Sequence, residues 1–391
     1  MSSSRTRASM ASRKISSMNW HLRASRVVLC LIAGTLAGCS TVPLPPGSAV
    51  PVAPLAQPLG PSIVQGRSRW VPVSWSELPG FDADSPDEAW NAWLRSCERP
   101  PPALAPLCPE VRRLTLGTPQ EQRAWMVQRL QPYRVEPLEG TAEGLLTGYY
   151  EPVIEATRQP TATNTVPLYR PPATLASRRP WYTRQEIDTL PAALAALRGR
   201  EIGYVADPVD ALMLQIQGSG RVRMTEPDGS RHLVRLAFAG SNEQPYRSIG
   251  AWLQQQGGLR DASWPGIKAW VARNPGRVQE MLWSNPRTVF FREEPLSALD
   301  AASGPRGAQG VALTPGRSIA VDRDSIPLGT PVWLASSGPV AQLQRLVLAQ
   351  DTGAAIVGAL RADYFSGWGP DAGELAGRLR QPLRLWVLWP K

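Results

Sequence analysis

The chain has 391 residues but only 2 histidines and 4 cysteines, and its 15 tryptophans outnumber its 5 phenylalanines three to one. With His21 and His232 as the only imidazoles, a histidine-built zinc site or a di-metal centre is excluded. A serine–histidine–aspartate triad would have to run through His232 alone, which makes Ser219 an improbable nucleophile. No metal and no cofactor is expected. Acids are also missing from one stretch: residues 1–38 carry six cations (Arg5, Arg7, Arg13, Lys14, Arg23, Arg26) and neither Asp nor Glu. Setting those six aside lowers the formal charge from +10 to +4. The basicity is therefore largely local, and no nucleic-acid partner is expected.

Long apolar runs are scarce as well. The clearest is Val27–Gly38, twelve residues that as a helix span about 18 Å, short of the ~30 Å hydrocarbon core of a bilayer. A basic segment followed by a short apolar one reads as a secretory signal. It ends in Leu36-Ala37-Gly38-Cys39, which resembles the lipobox of bacterial lipoproteins. That resemblance implies cleavage before Cys39, lipidation of Cys39, and, with Ser40 next, an outer-membrane anchor facing the periplasm. Seven prolines between residues 40 and 66 make 39–66 an extended tether to a body starting near Arg67. Cys97 and Cys108 remain, in an oxidising compartment, either as a short disulfide loop or as two buried thiols.

Proline is abundant, with 40 residues, and much of it punctuates secondary structure. Ser85-Pro86-Asp87-Glu88, Thr118-Pro119-Gln120-Glu121 and Thr183-Arg184-Gln185-Glu186 carry the capping-box pattern and predict three helix starts. Trp90, Trp93, Leu94 and Cys97 then fall on one helical face, so these tryptophans read as core. Two more helices are expected over 245–256 and 265–283. Short apolar stretches predict strands over 144–153, 211–223, 232–239, 288–291, 318–321, 331–335, 343–350 and 383–388. The fold expected is mainly β with several helices, barrel-like rather than a parallel α/β sheet.

Chemistry concentrates in three aspartates near the C-terminus, Asp322, Asp351 and Asp363, each beside strand ends and turns. In a chain almost without histidine, clustered acids suggest carboxylate chemistry, and glycosidic cleavage is its commonest use. Asp322 and Asp351 read equally as caps of turns. The segments 313–335 and 349–367 resemble the three-aspartate domain of bacterial cell-wall enzymes. More narrowly, the chain is similar to the membrane-bound lytic murein transglycosylase A family. Ordered blocks carry the resemblance: Leu146-Thr147-Gly148-Tyr149-Tyr150-Glu151-Pro152, Asp207–Ala211 running to Gln215–Arg221, Pro245–Gly250, and Asn285–Phe291. One departure falls after Asp351, where Ala354 and Val357 stand in place of an expected glycine and lysine.

The resemblance implies a double-psi β-barrel from residues 67–152 and 289–391, a smaller β-rich domain inserted at 153–288, and a glycan groove between them. It implies Asp363 as the catalytic acid, with Asp351 as a supporting charge and Phe365 and Tyr364 as an apolar wall. Thr147, Gly148, Tyr149, Gln217, Ser219 and Gly220 are the expected glycan-binding residues, although Gly220 also suits plain turn geometry. The implied partner is peptidoglycan glycan, with cell-wall synthases or scaffolds as further candidates. The implied reaction cleaves the β-1,4 bond between N-acetylmuramic acid and N-acetylglucosamine, leaving a 1,6-anhydro ring. A hydrolytic muramidase and a non-catalytic peptidoglycan-binding lipoprotein are the alternatives.

Overall fold

The computed structural model describes residues 59–140, 143–257 and 263–391. The signal segment 1–38, the lipidation site Cys39 and most of the tether lie outside the described residues. Among those described, no helix is long and apolar enough to cross a membrane.

Two sheets organise the body. The first has nine strands: β1 (Ile63–Gln65), β2 (Ser68–Pro72), β3 (Leu130–Pro137), β4 (Gly144–Glu151), β11 (Ser318–Val321), β12 (Pro331–Ser337), β13 (Gln342–Asp351), β14 (Arg361–Trp368) and β15 (Arg380–Pro390). Their order is β1-β2-β3-β15-β12-β13-β11-β14-β4. The start of β15 also pairs with β4, so β15, β12, β13, β11, β14 and β4 close into a ring, as a barrel requires. Closure removes the exposed strand edges that an open sheet would leave. Two pairings in the ring are parallel, β14 with β4 and β11 with β13. Central strands are almost wholly buried, and their side chains (Leu146, Ile319, Val332, Val347, Leu385) fill one continuous core.

The second sheet has six strands in the order β10-β9-β8-β5-β7-β6, built from β5 (Val153–Thr157), β6 (Val166–Tyr169), β7 (Glu201–Val205), β8 (Ser219–Thr225), β9 (Arg231–Ser241) and β10 (Val289–Pro295). It lies between the two chain segments that build the ring. Its last strand runs to Pro295, past the residue 288 expected as the end of the insert. At the other boundary, β1 pairs with β2 from Ile63 to Gln65, so the end of the stretch read as tether is a strand.

Helices cap these sheets. Among the described residues they include α1 (Pro86–Ser96), α2 (Cys108–Arg113), α3 (Pro119–Arg129), α4 (Arg184–Thr189), α5 (Pro191–Leu197), α6 (Pro208–Gln217), α7 (Ile249–Gln255), α8 (Trp264–Arg273), α9 (Val278–Trp283), α10 (Ala298–Ala301) and α11 (Gly369–Arg378). Thr118 and Thr183 form complete capping boxes. Ser85 does not: its side chain makes no cap hydrogen bond, and Glu88 reaches Arg317 at 2.6 Å instead. Trp90, Trp93 and Trp125 pack ring against ring with centroids 5.3–5.8 Å apart, core residues as their spacing predicts. Cys97 and Cys108 form a disulfide, with sulfurs 2.01 Å apart, that ties the end of α1 to the start of α2.

The expected strand over 211–223 is wrong in its first half. Residues 208–217 form α6, capped by Asp207 through the Val209 amide at 2.8 Å and ended by Gly218 in the left-handed region. An apolar run of that length fits helix and strand alike, and the Asp-Pro start and Gly stop decide for helix. The single helix expected over 265–283 is two, α8 and α9, interrupted at Asn274-Pro275-Gly276.

Candidate active site

Asp363 lies within β14, not in a turn. The parallel register sets Asp363 beside Thr147, Phe365 beside Tyr149 and Arg361 beside Leu145 of β4. Because side chains alternate along a strand, Thr147 and Tyr149 share a face with Arg361, Asp363 and Phe365. Tyr364 turns the other way, where its hydroxyl donates to the Gly316 carbonyl at 3.0 Å and accepts from Arg345 at 3.1 Å. Of the expected aromatic wall, then, Phe365 alone is on the side of the acid. Its fully buried ring packs on Tyr149 with centroids 5.3 Å apart.

The Thr147 hydroxyl donates to Asp363 Oδ1 at 2.5 Å, while Arg361 Nη2 donates to the same Thr147 oxygen at 2.7 Å. The Tyr149 hydroxyl donates to Asp351 Oδ2 at 3.0 Å. Asp351 Oδ1 accepts two backbone amides, Ala308 and its neighbour Thr352, each at 2.9 Å. Both oxygens of Asp351 are therefore engaged. Among the described residues, the hydrogen bond to Asp363 falls on Oδ1.

Burial pushes the Asp363 carboxyl above its ordinary range, and outweighs the Thr147 hydrogen bond and the Arg361 charge that pull it down. The rise expected from an Asp351 charge is not what lifts it. Burial also raises Asp351, to about 6, against its three hydrogen-bond donors and with help from the charge of Asp363. Burial first, then the two carboxylates, hold the Tyr149 phenol well above its usual range, so it stays a donor. The face thus combines a carboxyl that resists ionisation with neighbours that orient it.

Asp322 takes no part in this face. It is a loop brace: Oδ1 accepts the Asp324 amide at 3.0 Å and Oδ2 the Gly358 amide at 2.7 Å. The second bond pins the far end of the loop that leaves Asp351, on which Ala354 and Val357 are exposed.

The other expected binding residues divide. Gln217 Oε1 accepts the Tyr150 amide at 3.0 Å, which places Gln217 against the outer edge of β4 just past Tyr149. Gly148 faces α11, where a Cβ would stand 2.7 Å from Ala376 Cα, so its lack of a side chain serves helix packing. Ser219 is buried, and a Cβ on Gly220 would stand 2.2 Å from Leu214 Cδ1; both lie where β8 packs under α6. Two residues near the acid escape the sequence reading. Arg361 is visible only once 361–368 is recognised as a strand. Tyr246 feels the Asp363 charge; burial and that charge raise its phenol against a Ser248 hydrogen bond.

Residues 145–292 match the family described as "MltA specific insert domain" and residues 317–389 the family described as "3D domain". The membrane-bound lytic murein transglycosylase A of Vibrio cholerae is 35% identical over 254 residues, 62% of this chain and 65% of that protein. The lytic transglycosylase LtgG of Burkholderia pseudomallei is 43% identical, with a TM-score of 0.56 over 85% of this chain and 98% of that one. MltA of Neisseria gonorrhoeae is 30% identical, with a TM-score of 0.70 over 85% and 95% of the two chains. The chain belongs to the MltA family. A further MltA relative, from Escherichia coli and solved with bound chitohexaose, is 26% identical with a TM-score of 0.64, covering 82% of this chain and 94% of that one. The two family matches of the MltA-type chain meet at the site: Thr147 and Tyr149 fall in the first, Asp351 and Asp363 in the second.

Proposed function

We propose that this protein is a peptidoglycan lytic transglycosylase in which Asp363, of the two neighbouring acids Asp351 and Asp363, is the one free to exchange a proton with substrate. The family supplies the substrate class. The observation that carries the mechanism is the contrast between the two neighbouring acids, Asp351 with both oxygens taken and Asp363 with Oδ2 left over.

An ordinary glycosidase needs an acid and a second carboxylate, as nucleophile or as base for water. Asp351, tied to Tyr149 and two amides, is poorly placed for either task. A lytic transglycosylase manages with one carboxyl, since the C6 hydroxyl of the muramic residue is the nucleophile, and its intramolecular attack replaces water with high effective molarity. Asp363, its carboxyl pushed upward by burial, gives its proton to the departing glycosidic oxygen. As carboxylate it then takes the C6 hydroxyl proton while the C6 oxygen bonds to C1. One proton leaves and one returns, and the product carries a 1,6-anhydro ring. The chitohexaose seen in the Escherichia coli relative supports an oligosaccharide groove. We further propose that the chain is anchored through Cys39 in the outer membrane, in keeping with a relative named membrane-bound.

The test is Asp363→Asn in the full chain, assayed on purified sacculi by mass spectrometry of the released fragments. The expected outcome is anhydro product from the wild type, lighter than a hydrolytic product by one water, and a loss of roughly 10²–10⁴-fold in the folded variant. Reducing-end products from the wild type would favour a hydrolytic muramidase, and full activity in the variant would remove Asp363 from the mechanism.

A further inference from the structure

We infer that Arg361 is a positioning residue for the acid: it occupies a lone pair of Thr147 Oγ1, turns that hydroxyl's one proton onto Asp363 Oδ1, and so leaves Oδ2 as the oxygen that carries the acid proton. This rests on the reading of Asp363 as the acid. A threonine hydroxyl has one proton to give and lone pairs to receive, whereas a guanidinium gives only. Arg361 Nη2 donates to one lone pair of Thr147 Oγ1 at 2.7 Å, which turns the hydroxyl proton away from the guanidinium, and that proton is donated to Asp363 Oδ1 at 2.5 Å. An oxygen that already accepts this short hydrogen bond is the less favourable seat for the acid proton. The acid proton thereby favours the other oxygen.

Arg361 is itself held in place. Its Nη1 donates to the backbone carbonyls of Ala362 at 2.5 Å and Leu145 at 3.3 Å, one on each strand of the β14–β4 pair. Strand alternation places residues 361 and 363 on the same face, and the carbonyl anchors stop the guanidinium one hydroxyl short of Asp363. That separation matters. A direct Arg–Asp bridge would fix the carboxyl as an ion, useless as a proton donor at neutral pH. Through threonine, the arginine sets direction while burial still pushes the carboxyl upward.

The experiment uses the full chain on purified sacculi, with kcat, KM and the pH dependence of kcat measured for Arg361→Gln, Thr147→Val, Thr147→Ser and the Arg361→Gln/Thr147→Val double variant. A ¹³C NMR titration of the Asp363 carboxyl supplies a readout independent of turnover. Arg361→Gln is expected to lower kcat by about 10- to 100-fold with KM nearly unchanged. It should move the alkaline limb of the profile, and the NMR titration, to higher pH, because a cation that favours the carboxylate is gone. Thr147→Val should move both the same way, Thr147→Ser should restore them, and the double variant should be no slower than Thr147→Val alone. An unchanged kcat and titration in Arg361→Gln, an effect on KM alone, or additive losses in the double variant would overturn the inference. Asp363→Asn, run alongside, separates the two levels: retained activity there means that the proposed function has failed, not only the role of Arg361.

Discussion

The β4–β14 pair carries two acids, Glu151 fully buried and Asp363 half-buried, that the protein treats in opposite ways. At one end, Glu151 is fully buried between Arg221 and Arg235, at 2.8 and 2.6 Å, and both guanidiniums also donate to the Ser303 carbonyl, at 3.0 and 2.7 Å. Arg221 lies over the Trp368 ring, 3.8 Å from its centroid, and Trp368 is the strand partner of Glu151. Four residues earlier on β4, Thr147 holds Asp363, and the nearest cation is kept one hydroxyl away. A carboxylate matched by two guanidiniums joins elements: here a ring strand to two strands of the second sheet. A carboxyl given neutral donors and burial resists ionisation and can exchange a proton. Coordination, more than depth, separates a brace from an acid.

Equal-sized swaps at the two acids should break this comparison most sharply. Glu151→Gln leaves two buried guanidiniums without their counter-charge and is expected to cost about 3–5 kcal/mol, the usual penalty for breaking a buried ion pair from one side. Urea denaturation should show a lower midpoint with little change in slope. Asp363→Asn should cost almost nothing. The folded carboxyl of Asp363 is raised, so its favourable contribution is present at low pH and lost as pH rises through the folded value; the amide escapes that loss. At neutral pH the Asn variant should be as stable as the wild type or more so. If both swaps destabilise equally, Asp363 is a structural ion and the distinction fails.

The sequence exposed the two acids unequally as well. Asp363 stands out because its segment resembles a known domain and because histidine is too scarce to carry the chemistry. Glu151 sits in a recognisable block, yet nothing local announces its partners, which come from 70 and 84 residues further along the chain. The barrel was legible as many short strands, but the closure of β15 onto β4 joins positions that no pattern of alternation relates. The first half of the strand expected over 211–223 is α6, because the apolar run alone does not separate helix from strand and the Asp207-Pro208 start and Gly218 stop do. Arg361 went unread for a similar reason: without β14 as a strand, a residue two positions before the acid has no defined face. Gly220 reads in sequence as part of a sugar-binding loop, and its close approach to Leu214 of α6 gives a packing reason for glycine at that position.

Asp351 provides a smaller and pH-dependent contrast. Its pKa is raised to about 6 from an ordinary value near 3.8, so it too contributes stability at low pH that disappears as pH rises. The loss is expected between about pH 4 and pH 6. Two pKa units correspond to nearly 3 kcal/mol, and partial exposure reduces that to on the order of 2 kcal/mol. Asp351→Asn should therefore gain about that much over the wild type above pH 6 and nothing below pH 4, read as the difference between two stability–pH curves. A flat difference would show that Tyr149 and the two amides compensate the charge completely, making Asp351 a second brace.

The finest test asks whether brace and acid are independent, although one strand pair holds both. Trp368→Leu removes the ring under Arg221 while leaving Glu151 and its two partners intact. A cation–π contact of this kind is worth about 1 kcal/mol, and the loss should appear in the denaturation midpoint. Trp368 and Asp363 are five residues apart on β14, with a register shift between Phe365 and Trp368 that interrupts the pairing with β4. Such an irregularity lets one end of a strand adjust without dragging the other. The pH dependence of kcat is accordingly expected to stay in place in Trp368→Leu. Movement of its alkaline limb would mean that the buried arginines reach Asp363 through the strand, and that the brace helps to set the strength of the acid.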